Sequence, residues 1–150
     1  MNRPQDTTGF WRRWLEIGLI LLMVASLLPV LAPGVARGAF GLLVYADADR
    51  LATFAAEPMR YASFLHGVLG AVMFGWAVSL FLLVRGASPD GRGGGWQAAA
   101  ASLVAWFVPG TLFSIASGVW LNVALNLLFL AAFGLPLVPL VRRARRGDRS

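Results

Sequence analysis

The chain has 150 residues and a formal net charge of +6; 58% of its residues are apolar and only 13% charged. That is more apolar and about half as charged as a soluble domain, and a water-soluble globule is excluded because the surface it would expose would aggregate. There is no cysteine, which excludes disulfides, thiolate catalysis and Cys-ligated metals.

Four apolar runs, residues 14–33, 61–84, 96–115 and 119–141, fill most of the sequence. Each meets the ~20 residues that a helix needs to cross the ~30 Å hydrocarbon core. The expected fold is all-α: a single membrane-embedded bundle of four transmembrane helices. The first run is preceded by Arg3, Arg12 and Arg13. It is too long for a signal-peptide core and lacks a small-residue cleavage site, so it reads as a retained span. Glu16 lies four residues after Arg12, and a helical ion pair at the interface explains it without transport.

The connection at residues 34–60 is the sizeable extramembrane piece. Asp47 or Asp49 is the expected cap of a short helix running to Glu57 and ended by Pro58. Phe40, Leu42, Leu43, Tyr45, Leu51 and Phe54 suit it to the membrane interface, folded over the outer mouth of the bundle or serving as a plain connector.

The second run carries small residues every four positions: Ser63, Gly67, Ala71, Gly75 and Ser79. Such a stripe lets two backbones approach closely, and a helix of the same chain is the default partner. The loop at 85–95, containing GASPDGRGGG, is flexible by composition. Pro109 in the third run removes one backbone hydrogen bond and frees the Ala105 carbonyl. Ala116, Ser117 and Gly118 leave so short a hairpin that the last two spans must be antiparallel neighbours. A basic tail, residues 142–150, follows the fourth span.

Every basic residue is Arg. Ten lie in the N-terminal segment, the loop at 85–95 and the tail; Arg37, Arg50 and Arg60 lie on the opposite side. The positive-inside rule then places both termini in the cytoplasm. Arg at the membrane edges reads as topology, so no nucleic-acid partner is expected, and head groups of membrane lipids are. Ala, Gly and Arg without Lys point to a GC-rich bacterial genome, hence to a multi-pass protein of the bacterial inner membrane. Trp11, Trp14 and Trp96 at one interface, with Tyr61 and Trp120 at the other, agree with the span boundaries. Trp76 and Trp106 lie deeper and are expected inside the bundle.

Polar residues concentrate in the outer half: His66, Thr111, Ser114, Asn122 and Asn126. In lipid such groups turn inward and find partners. Two readings stay open. Asn, Ser and Thr commonly fasten transmembrane helices together, at ~0.6 kcal/mol per contact. Alternatively the five residues line an outward-facing pocket for a lipid or small ligand, with His66 bonded to Asn122 or Asn126. As the single histidine, His66 is a functional candidate by default, but it lacks a second strong ligand, so no metal or cofactor is expected.

Trp106, Phe107, Thr111, Ser114, Gly118, Asn122, Asn126, Leu135, Pro136 and Leu137 form the pattern W-F-x-x-D-T-x-x-S, G-x-x-x-N-x-x-x-N, L-P-L, except that Gly110 stands where the pattern has Asp. Together with HGVLGAVMFGW in the second span, this resembles an uncharacterised group of small four-helix bacterial membrane proteins. The resemblance covers about half the chain and implies architecture only. No paired acids, nucleophile–base set or metal ligands occur at membrane depth, so the balance is against an enzyme. The leading expectation is a non-enzymatic subunit or scaffold, as a homo-oligomer or within a larger membrane complex.

Overall fold

Without water in the bilayer, each backbone N–H and C=O must be satisfied within its own segment, which leaves helices as the outcome for long apolar runs. The computed structural model describes residues 6–87 and 94–147. It contains α1 (Asp6–Leu31), α2 (Pro33–Tyr45), a 3-10 turn (Arg50–Thr53), α3 (Ala56–Gly86), α4 (Gly95–Ala116) and α5 (Trp120–Gly147), and no strand among the described residues. The helices α1, α3, α4 and α5 are long and apolar enough to cross a membrane. Large apolar side chains such as Leu21, Phe64, Val72, Leu112 and Leu128 stay exposed on their outer faces, the complement of a lipid surround.

The connection between the first two spans differs from expectation. Asp49 does precede a short helix, but only the 3-10 turn Arg50–Thr53, with no side-chain cap bond and without reaching Glu57; the longer helix of the connection is α2, which begins at Pro33. Proline is at home there because its fixed φ suits the first helical turn, where its missing N–H is no loss. The helix ends at Ala46, in the left-handed region at φ 55°. Asp47 accepts the backbone N–H of Asp49 (2.9 Å), which makes a turn instead of a helix cap. Pro58 does not end a helix either: with Glu57 it lies in the first turn of α3, the same N-terminal tolerance that Pro33 uses. Gly41 lets the chain fold back on α2, since a Cβ there would stand 2.7 Å from the Asp47 carbonyl oxygen.

Packing proceeds in two antiparallel pairs. In α1 and α3 the backbones touch at Gly70, where a Cβ would meet the Ser26 carbonyl oxygen at 2.5 Å. In α4 and α5 the turn closes through Gly118 at φ +72°. The pairs meet over a buried apolar cluster that includes Leu15, Leu19, Leu80, Val84, Trp96, Leu103, Leu137 and Leu140. These residues come from the start of α1, the end of α3, the start of α4 and the end of α5, so the dense core lies toward the Arg-rich end. Mid-bundle, Trp76 stacks on Trp106 (centroids 5.6 Å apart), Trp106 packs on Phe129 (4.9 Å) and Phe129 on Phe133 (4.4 Å). The Trp76 indole N–H donates to Ser102 Oγ at 2.7 Å, so both deep tryptophans lie inside the bundle as expected. Phe133 in turn seats on Gly18, where a Cβ would come within 2.9 Å of the ring.

Candidate functional site

Four of the five candidate polar residues do come together, across the α4–α5 seam. Asn122 and Asn126 are one helical turn apart on α5, so they share a face; Thr111 and Ser114 face them from α4. Asn122 Nδ2 donates to Ser114 Oγ (2.7 Å), and Ser114 Oγ donates to the Gly110 carbonyl (2.7 Å). Asn126 Nδ2 donates to Thr111 Oγ1 at 3.2 Å. Ser114 and Asn126 are buried, at 3% and 5% exposure. The two asparagine bonds run between α4 and α5, and the Ser114–Gly110 bond lies within α4. A Cβ at Gly110 would stand 3.9 Å from Asn126 Nδ2. Gly110 therefore borders this network.

His66 is not part of the network, contrary to expectation: it bonds neither asparagine. Its ring stacks on Phe40 of α2, centroids 3.8 Å apart and planes inclined by 9°. Its Nδ1 is buried without a hydrogen-bond partner. The cause is the position of α2, whose Phe40 occupies the face of α3 on which His66 stands. Phe40 read as one more interfacial apolar residue in the sequence, since nothing local marks it as a histidine's neighbour.

The small-residue stripe of α3 is divided. Gly67 lies near α1, with the Pro29 carbonyl oxygen 4.0 Å from where its Cβ would be, whereas Gly75 has nothing within that reach. Ala71, Gly75 and Ser79 are exposed, and the Ser79 hydroxyl returns to the Gly75 carbonyl at 2.9 Å. The intrachain contact of α3 uses Gly70 instead, three residues beyond Gly67.

At the Arg-rich end, Arg12 Nε donates to Glu16 (3.1 Å), giving the expected ion pair, and Arg12 Nη2 donates to the Arg85 carbonyl at the end of α3. Pro136 removes the N–H that would bond the Ala132 carbonyl four residues back; the Trp14 indole N–H takes that carbonyl instead, at 2.9 Å. Arg3, Arg92 and Arg149 lie outside the described residues. Among the described residues no three His, Asp or Glu side chains gather as metal ligands would. Comparison with protein-family models, with curated proteins and with solved structures yields no match.

Proposed function

We propose that this protein is a non-enzymatic integral membrane subunit or scaffold that works by packing against another transmembrane segment. The observation that carries this reading is the division of labour among its polar and small residues. Thr111, Ser114, Asn122 and Asn126 are spent on fastening α4 to α5. The Ala71, Gly75 and Ser79 face of α3 stays bare and is shallow enough for a second backbone to approach, where dispersion then drives association. A bacterial inner-membrane setting with both termini cytoplasmic is part of the proposal, supported by the Arg asymmetry.

Because the chain has no cysteine, Gly75→Cys creates a unique cross-linking site. Oxidation in native membranes is expected to trap either a dimer or an adduct with one other protein. Leu128→Cys, on a lipid-facing surface of α5, serves as the control. Equal and weak trapping from both positions contradicts the proposal.

A second reading, binding or transport of a lipid or small ligand from the outer side, is favoured by one observation: the buried, unpartnered His66 Nδ1 against Phe40. It predicts that His66→Ala abolishes retention of a co-purifying small molecule while the fold survives.

A further inference from the structure

The α4–α5 pair carries a second feature, at the end opposite its asparagines. Between the two helices lies an open groove of about 340 Å³, walled by apolar residues such as Ala100, Val104, Leu130 and Val138 and ending at Arg142 and Arg145. Gly134 lines it as well, and the absence of a side chain at that point deepens it: a Cβ there would sit at ordinary contact distance, 3.6 Å, from Leu130. From Leu130 to Arg142 the α5 axis rises about 18 Å at 1.5 Å per residue, close to the ~15 Å depth of one leaflet's hydrocarbon.

Arg142 and Arg145 are one turn apart on α5, so both guanidiniums reach the same side. Both are exposed, and the one ion pair found among the described residues is Arg12–Glu16. Among the described residues, no acid lines the groove. A chain-length apolar slot ending in two unpaired guanidiniums at the interface is complementary to one molecule type: an acyl chain carrying an anionic phosphate head group. Guanidinium binds phosphate oxygens through paired, charge-assisted hydrogen bonds, and basic pockets between spans are where anionic lipid heads bind.

We infer that this groove is a specific site for one anionic glycerophospholipid of the leaflet at the Arg-rich end, its phosphate on Arg142 and Arg145 and one acyl chain along Gly134 and Val138. The site is independent of the scaffold proposal, since it uses a different face and different helices.

The test is native mass spectrometry of the full-length protein offered equimolar dioleoyl phosphatidylglycerol and dioleoyl phosphatidylcholine. The expected result is one phosphatidylglycerol per chain, retained at least tenfold over phosphatidylcholine. Arg142→Gln with Arg145→Gln is expected to weaken that retention by roughly thirtyfold, the loss of two guanidinium contacts of ~1 kcal/mol each. Val138→Phe fills the groove from its exposed side with little risk to folding, and Gly134→Leu fills it from the floor; each is expected to reduce retention with both arginines intact. Equal retention of the two lipids overturns the inference. So does dependence on the arginines without dependence on Val138 or Gly134, which reports only diffuse attraction to a basic surface.

Discussion

Trp14 and Pro136 illustrate how one residue's defect becomes another's contact. Pro136 leaves the Ala132 carbonyl without its helical donor, and the Trp14 indole supplies one. Trp14→Phe is therefore expected to lower stability by about 1 kcal/mol, within the range of hydrogen bonds between membrane helices. In a Pro136→Ala background the restored N–H takes the carbonyl, and the same change is expected to cost close to nothing; a double-mutant cycle of unfolding free energies reads the difference. The two glycines of α3 give a sharper contrast. Gly70→Ala forces a methyl into the Ser26 carbonyl and is expected to cost about 1–3 kcal/mol by overpacking, whereas Gly75→Ala meets nothing and leaves monomer stability unchanged or slightly raised. Thermal unfolding in detergent distinguishes them. The sequence made half of this legible. That a proline frees the carbonyl four residues back is local knowledge, but the donor lies 118 residues away and no local pattern points to it. Likewise a four-residue spacing picks out Gly67 and Gly75, while the glycine against the neighbouring helix is Gly70, because which face is covered depends on where α1 sits.

The α4–α5 hairpin joins two features at opposite ends, an amide–hydroxyl seam and a basic groove. At the seam, Asn126→Ala is expected to destabilise by about 0.6 kcal/mol and at most ~1.7, and adding Thr111→Val is expected to cost little more, since the partner is already lost. A loss for the pair equal to the sum of two large single losses would mean that each residue has other work. That Asn122 and Asn126 share a face is readable from their four-residue spacing, and the three-residue hairpin makes α4 a neighbour of α5; that Ser114 and Thr111 and not His66 are their partners is not. The connection between α1 and α3 was less readable. Pro33 and Pro58 each permit a helix to begin, whereas Pro58 reads in the sequence as the end of one; the apolar stretch after Pro33 forms α2, which carries Phe40 onto His66. A lone histidine's partner on a separate element leaves no trace in periodicity.

Across the whole molecule, hydrocarbon thickness is the constraint that the sequence expresses most directly, and the four long apolar helices follow from it. Their arrangement depends on side chains that meet over long separations, such as Phe133 on Gly18 and Trp76 on Ser102, and these do not follow from length or apolarity. Sidedness is an Arg-count argument and is tested separately: reporter fusions at residues 86–95 are expected to be active in the cytoplasm and fusions at residues 46–49 outside it, and the reverse pattern would invert the proposed orientation. The central claim is that the protein acts by packing within a membrane assembly. Native mass spectrometry of the protein released gently from its own membrane, as wild type and as Gly75→Leu, tests this most directly. A stoichiometric partner or a discrete homo-oligomer in the wild type, lost in Gly75→Leu while the helical fold remains, is the predicted result. A monomer in both, carrying one small molecule that His66→Ala releases, would contradict it.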